Sequence, residues 1–226
     1  MSDLPYDTDP VYKDPGTKVL HVPDADIHTV CHTLVSCLGI IKGWLDAHPG
    51  SIPIPIMMEF KVAEELSEAH GGAKIIPWDN EELLSGLDEE IRSVFPNEML
   101  ITPDDVRRDG LTLEESILKA GWPDLDSARG RIFFLMDNGP DHPVRHKYRE
   151  DRPSLEGRVL FTNSAPGNPD CAFQKVHIQA ISWTIVWTLT CPVERTEKRR
   201  NPIYPRPGAG RLLGPYARRS SRGHCP

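Results

Sequence analysis

The chain has 226 residues, of which 38% are hydrophobic, and a formal net charge of −7, values that suit one domain of ordinary size. No apolar run approaches the roughly 20 residues that a transmembrane helix requires, so we expect no transmembrane segment. The first residues, MSDLPYDTDP, are acidic and polar. They have neither the basic start nor the apolar core of a signal peptide. We expect no export signal in the chain as written, and an internal start is an equal alternative that would have removed one.

Charge is distributed unevenly along the chain. Residues 177–226 contain nine Lys or Arg and two Asp or Glu, a local balance of +7, whereas residues 1–176 contain 17 and 31, a balance of −14. The chain ends in the stretch RNPIYPRPGAGRLLGPYARRSSRGHCP, whose weak apolar periodicity predicts disorder. Its arginines would attract nucleic acid or anionic lipid only through a generic charge effect, so we expect no nucleic-acid partner.

The rest of the chain reads as alternating strands and helices. In chain order the patterns predict a strand over 19–22, a helix over 29–47, a strand over 54–60, a helix over 80–95, a turn or short helix at 102–105, a helix over 112–119, and strands over 131–138 and 158–164. The helices repeat apolar residues at three- and four-residue steps. Thr112 is the predicted N-cap of its helix, with Glu115 at the capping-box position.

The predicted strands are nearly continuous apolar runs, which is typical of a parallel sheet buried on both faces. The predicted fold class is therefore α/β. Ligands of parallel α/β proteins bind beyond the carboxyl ends of the strands. Polar residues lie at each of those ends: His21, Glu59 and Lys61, Asp137 and Asn138, Asn163 and Ser164.

Two of these ends carry residues suited to catalysis. His21 in VLHVPD can exchange a proton near neutral pH, and Glu59 in IPIMMEFK offers hard oxygen ligands for Ca²⁺ or Mg²⁺. Each also has a plain structural reading. A histidine at a strand end is often structural, and Glu59 could simply pair with Lys61.

Cysteine spacing leaves two readings open. Cys31 and Cys37, in CHTLVSC, form either a local disulfide in an oxidising compartment or two buried thiols on the predicted helix. His28, Cys31 and His32 also have the helical spacing of a zinc clip, although no fourth ligand is evident.

The run DPGTKVLHVPDADIHTVCHTLVSCLGIIKGWLDAHPGSIPIPIMMEFK closely resembles the calcium-dependent phosphatidylinositol-specific phospholipases C of bacterial and fungal type. The resemblance continues through LDEEIRSVFPNEMLITPDDVR, LEESILKAGWPDLDSARGRIFFLMDN and SLEGRVLFTNSAPGNPDCAFQK. It implies the (β/α) TIM-type barrel of the phospholipase C-like phosphodiesterases. We expect residues 1–175 to form part of such a catalytic barrel and residues 176–226 to be a basic tail foreign to the family.

The resemblance also implies a reaction. In this family the inositol 2-hydroxyl attacks the phosphodiester, and diacylglycerol and a cyclic inositol phosphate are released. Ca²⁺ lowers the pKa of the attacking hydroxyl and neutralises phosphate charge. By match to the family motifs, His21 resembles the general acid that protonates the leaving alcohol, Glu59 resembles the last calcium ligand, and Lys61 is expected to contact phosphate. The implied partner is phosphatidylinositol or another inositol phospholipid at a membrane surface, and family members are typically secreted.

The sequence departs from the family at both ends. A Ser-His-Asn-Thr/Ser-Tyr-like motif carries the family's first catalytic histidine and a calcium-ligating asparagine, and a Glu-Leu-Asp-Val-like motif carries two further ligands. Neither motif occurs in this sequence. After Lys175 the resemblance stops where the charge reverses. We therefore expect a central fragment lacking the first two barrel strands, followed by a tail from a shifted reading frame or a mispredicted exon.

Three functional hypotheses follow. The first is a phosphoinositide phosphodiesterase. The second is a catalytically inactive fragment or binding remnant, favoured for the isolated chain because one carboxylate cannot supply the 6–8 oxygens that Ca²⁺ requires. The third is a glycerophosphodiester phosphodiesterase, which shares the barrel, the paired histidines and the metal, but whose signature motifs at the strand ends are not matched.

Overall fold

The computed structural model describes residues 10–21, 28–62, 78 and 80–175. The strands are β1 (Ile54–Met58), β2 (Ile132–Met136) and β3 (Leu160–Thr162). The helices are α1 (Leu34–Ala47), α2 (Glu81–Val94), α3 (Pro103–Val106), α4 (Leu113–Ala120), α5 (Leu125–Ala128) and α6 (Pro143–Tyr148), with 3-10 turns at Pro10–Lys13 and Asn97–Met99. The predicted tail, residues 176–226, lies outside the described residues.

The three described strands form one parallel sheet in the order β1-β2-β3. Ile54 pairs with Ile132, and Phe134 pairs with Leu160. All five residues of β2 are buried, as expected for a central strand covered on both faces. The predictions of an α/β fold and a parallel sheet are confirmed, whereas a closed barrel is not seen among the described residues.

Two helices begin directly after polar residues that cap them. The side chain of Asn80 accepts a hydrogen bond from the backbone N–H of Glu82 and caps α2. At α4 the Thr112 hydroxyl accepts from Glu115 N while the Glu115 carboxylate accepts from Thr112 N, which is the predicted capping box. These contacts satisfy N–H groups that have no partner inside their own helix.

The segment before α1 corrects two predictions. Helix α1 begins at Leu34, not at residue 29, and no strand forms over the described residues 19–21. Lys18 and Thr33 instead form an antiparallel bridge, and Leu34 N donates to the Thr17 carbonyl over 2.8 Å. The backbone of this segment is thus already paired with residues far back in the chain, and it cannot wind into the helix.

A disulfide joins Cys31 and Cys37, so the reading as two buried thiols is wrong. Cys31 lies before α1 and Cys37 lies in its first turn. The bridge therefore ties the extended segment to the helix. Val30, which the longer predicted helix would have included, is 97% exposed.

The helices and strands share one hydrophobic core. Helix α1 packs against α2, and their buried leucines join the central strand. The ring of Trp122 lies 4.8 Å from that of Phe161 and 5.8 Å from that of Phe133. Members of this core include Leu38, Leu45, Leu84, Leu87, Ile91, Phe134 and Phe161.

A buried polar network anchors the start of β3. The Tyr148 hydroxyl donates to Asp88 over 2.6 Å and accepts from the backbone N–H groups of Val159 and Leu160. Arg158 stacks over the Tyr148 ring and lies 3.4 Å from the Asp88 carboxylate. Burial raises the pKa of Asp88 even though Tyr148 and Arg158 oppose that rise.

A second buried ion pair closes the loop after β3. Arg145 and Asp170 are 1% and 0% exposed, and the guanidinium lies 2.6 Å from the carboxylate. Asp170 also accepts hydrogen bonds from the hydroxyls of Thr162 and Ser164. Four side chains thereby fix the path of the chain from β3 towards Lys175.

Candidate active site at the carboxyl edge of the sheet

A cleft of about 450 Å³ lies beside the carboxyl end of β1. Its walls come from residues 17–21, the disulfide, α1 and β1. All three residues that the sequence nominated for a site, His21, Glu59 and Lys61, line this cleft. The structure therefore brings together side chains that are 40 residues apart in the sequence.

Glu59 and Lys61 form an ion pair at the mouth of the cleft. The Lys61 Nζ to Glu59 Oε1 distance is 2.5 Å, and the two side chains are 22% and 47% exposed respectively. Both follow directly after the end of β1. The plain reading of Glu59, as the partner of Lys61, is therefore observed.

His21 also lines the cleft. It is exposed and lies in a bend of the chain. Two residues earlier, the backbone N–H of Val19 donates a hydrogen bond to the carbonyl oxygen of His32. The bridge between Lys18 and Thr33 fixes the preceding backbone. His21 therefore reaches the cleft from a bend of the chain and not from the end of a strand.

Asn138 connects the exits of β1 and β2. Its side-chain oxygen accepts from Phe60 N over 2.9 Å, and its amide donates to the Phe60 carbonyl over 2.9 Å. The same amide lies 3.3 Å from His142 Nε2, and His142 Nδ1 accepts from Val144 N to cap α6. Asn138 therefore holds the backbone between Glu59 and Lys61 in place.

A second ion pair lies beyond β2 and β3. Lys175 Nζ is 2.5 Å and 2.7 Å from the two Asp137 oxygens, and the two side chains are only about one-fifth exposed. Lys175 N also donates to the side chain of Asn163. Sequence reasoning named Asp137 and Asn163 as strand ends but missed Lys175, because no local pattern points back across a 12-residue loop.

The described residues do not fit a metal centre. Across 10–21, 28–62, 78 and 80–175 there is no group of three or more His, Cys, Asp or Glu side chains arranged to hold a metal ion. The zinc clip is wrong, since Cys31 is in a disulfide and its segment is not helical. At the cleft, Glu59 brings one carboxylate, and Lys61 pairs with it, whereas Ca²⁺ takes 6–8 oxygen ligands.

Among the residues that the structure describes, no helix is both long and apolar enough to cross a bilayer.

Residues 1–180 match the family described as phosphoinositide phospholipase C, Ca²⁺-dependent. A search of curated proteins found no match. Among solved structures, a calcium-dependent phosphoinositol-specific phospholipase C from Pseudomonas sp. is similar at 20% identity and a TM-score of 0.43, over 62% of this chain and 44% of that one. A calcium-dependent phosphatidylinositol-specific phospholipase C from Streptomyces antibioticus is similar at 22% identity and a TM-score of 0.41, over 63% and 47% of the two chains. The chain spans less than half the length of either protein.

Proposed function

Because the chain belongs to the calcium-dependent phosphoinositide phospholipase C family, we propose that its cleft binds the phosphodiester of an inositol phospholipid. The observation that carries this proposal is the convergence of His21, Glu59 and Lys61 on one cleft at the carboxyl end of β1. A titratable imidazole and an ammonium group facing one concave space suit an anionic phosphodiester. The family match also favours this substrate over a glycerophosphodiester.

His21 and Lys61 have separate roles in the proposal. Lys61 Nζ donates to a non-bridging phosphate oxygen and neutralises part of its charge. Where the inositol 2-hydroxyl has lost its proton and its oxygen bonds to phosphorus, the bond from phosphorus to the glycerol oxygen breaks, and protonated His21 would supply the proton for that leaving oxygen. Glu59 competes with phosphate for Lys61 because it already pairs with it.

Calcium, which the family name implies, would supply charge neutralisation and a more acidic attacking hydroxyl. The described residues contribute one carboxylate, Glu59, and do not fit that ion alone. We therefore expect the purified chain to bind the headgroup without turning it over.

We also propose that the described strands and helices form an arc of a (β/α) barrel. Adjacent parallel strands in sequential order, joined by crossovers that contain helices, are the arrangement that a barrel repeats. Two features support it: the order β1-β2-β3, and polar clusters at the carboxyl end of every described strand.

The disulfide supports the proposal that the protein, like its family, is exported, since such bridges persist in oxidising compartments.

The test measures binding and turnover separately. Glycerophosphoinositol, the headgroup with its glycerol, is titrated into the full chain, and Lys61→Met is expected to weaken binding about tenfold, the loss of one charge-assisted hydrogen bond. Lys42→Met is the matched control, because Lys42 is also an ion-paired lysine but lies outside the cleft on α1. Equal affinity for Lys61→Met and the wild type would refute the site.

Turnover is followed on phosphatidylinositol vesicles with Ca²⁺ and with chelator, alongside His21→Ala and the control His48→Ala. We expect no inositol phosphate from any sample. Calcium-dependent release that His21→Ala removes and His48→Ala keeps would overturn the expectation of inactivity and would place the missing ligands outside the described residues.

A further inference from the structure

The lining of the cleft has a polar part and an apolar part. The polar part, His21, Glu59 and Lys61, is exposed or partly exposed. The remaining walls are largely hydrocarbon side chains and the disulfide. The apolar lining includes Leu34, Leu38, Ile41, Ile56, Met57 and Trp78.

Apolar lining extends away from the polar residues along β1 and along the length of α1. On β1, Ile56 lies three residues before Glu59, which is about 10 Å along a strand. On α1, the lining is apolar from Leu34 to Ile41, seven residues or about 10 Å along a helix. Helix α1 is joined to β1 by the short connection 48–53, and Ile41 and Ile56 line the same cleft.

The segment before α1 forms part of the apolar lining. The disulfide between Cys31 and Cys37 fixes the segment before α1 and lines the cleft itself. Val30, in that segment, is 97% exposed and also lines the cleft. A volume of about 450 Å³ falls within the range of pockets that enclose small ligands.

We propose that the cleft receives the end of one hydrocarbon chain of the lipid whose phosphate lies at Lys61 and His21. This inference rests on the proposed function and adds the lipid chain to the headgroup. A phosphate at Lys61 and His21 and a chain along the apolar walls would match these two parts of the lining. The protein would then recognise the headgroup together with one lipid chain that has left the membrane and entered the cleft.

The first experiment is a chain-length series. Alkyl phosphates of one to ten carbons are titrated into the full chain below their micelle concentrations. We expect affinity to rise about fourfold for each added methylene that becomes buried, and to level off once the chain reaches the end of the cleft. Affinity that does not change with chain length would overturn the inference while leaving the phosphodiester site intact.

Two tryptophan substitutions test where the chain lies. Ile41→Trp fills the apolar end, so the affinity should level off at a shorter chain and decyl phosphate should bind at least tenfold more weakly. Ile40→Trp is the matched control, since Ile40 is the next residue of α1, is 64% exposed and does not line the cleft. Identical chain-length series for both variants would count against the cleft.

Fluorescence gives a second readout that does not depend on filling the core. Trp78 lines the cleft and packs edge-on against Phe60 at 5.0 Å. A bromine-labelled alkyl phosphate should quench wild-type fluorescence, Trp78→Phe should lose most of that quenching, and Trp44→Phe, on the exposed side of α1, should keep it. Quenching that survives in Trp78→Phe would overturn the inference.

The neutral alcohols of the same series separate the two proposals. If alkyl alcohols bind as tightly as alkyl phosphates and still show the chain-length dependence, the chain cleft stands and the phosphodiester proposal falls.

Discussion

The hydroxyl of Tyr148 donates a hydrogen bond to Asp88 over 2.6 Å across the interior, joining α6 to α2. Both side chains are buried. Burial raises the pKa of the Asp88 carboxyl, and burial together with the nearby carboxylate raises the pKa of Tyr148 well above its usual value. The pair therefore couples the protonation of one aspartate to the stability of the fold.

The stability that Asp88 contributes should fall as pH rises. Above the usual aspartate pKa of about 3.9, the unfolded chain loses its proton while folded Asp88 retains it, up to the raised pKa of the folded state. The folded state binds more protons in that window, so its stability decreases with increasing pH. Asp88→Asn keeps an acceptor for Tyr148 but does not titrate. Its free energy of unfolding, measured in urea from pH 4 to 7, should gain on that of the wild type as pH rises, and parallel curves would contradict this.

Breaking the buried pair of Arg145 and Asp170 should be costly. Asp170→Asn leaves a buried guanidinium without its counter-charge, a change that typically costs about 3–5 kcal/mol. Asp46→Asn breaks the exposed pair with Lys42 on α1 and should cost less than about 1 kcal/mol. Urea unfolding of both variants compares them, and similar losses would show that burial does not decide the effect.

Gly130 should tolerate alanine less well than Gly110. Both have a positive φ, 70° and 71°, but a Cβ on Gly130 would lie 2.5 Å from the carbonyl oxygen of Pro49, whereas one on Gly110 would meet nothing within 4 Å. Gly110→Ala thus measures backbone strain alone, about 1 kcal/mol. Gly130→Ala adds a backbone clash where the chain enters β2. Thermal unfolding should rank Gly130→Ala clearly lower, and equal midpoints would count against the close contact.

Removal of the disulfide should destabilise the region around the cleft. The bridge spans six residues of sequence, and the loop-entropy relation gives about 2 kcal/mol for such a loop. The Cys31→Ser/Cys37→Ser double variant should lose that amount. Reductant should lower the melting temperature of the wild type by more than that of the variant, because the disulfide-bonded Cys171 is present in both proteins. Equal shifts in the two proteins would contradict a stabilising role for the bridge between Cys31 and Cys37.

Glu59 should limit anion binding in the absence of metal. Glu59→Gln removes the charge that pairs with Lys61 at 2.5 Å, so glycerophosphoinositol should bind several-fold more tightly in the presence of chelator. Asp46→Gln, which releases the exposed Lys42, is the control and should have no effect. Weaker binding by Glu59→Gln would mean that the carboxylate itself contacts the headgroup.

Much of the fold was predictable because its signals are local. Apolar runs located β1, β2 and β3, and cap residues such as Asn80 and Thr112 located helix starts, since each acts within a few residues. The start of α1 was predicted wrongly, because residues 32–34 pair with residues 17–19. Apolar periodicity does not register a competing partner that lies earlier in the chain.

The candidate site was predictable only in part, for a similar reason. His21, Glu59 and Lys61 were identified by motif, and the structure places all three on one cleft, while their chemical roles remain predictions. The bonds from Asn138 to the Phe60 backbone join residues 78 positions apart, and no local pattern encodes such a contact. The predicted tail over 176–226 and the expected loss of family strands concern residues that the structure does not describe.

The contact between Lys175 and Asp137 has a consequence for the order in which the protein is made. The two residues are 38 positions apart, and at about 5–20 residues per second the ribosome needs roughly 2–8 seconds to travel between them. During that interval the residues of β1 and β2 have already been synthesised, but Asp137, which follows β2, lacks the Lys175 ammonium group. Once Asn163 has been synthesised, its side chain still lacks the Lys175 N–H donor. The edge of the sheet that carries the candidate site is therefore completed last during translation of the described chain.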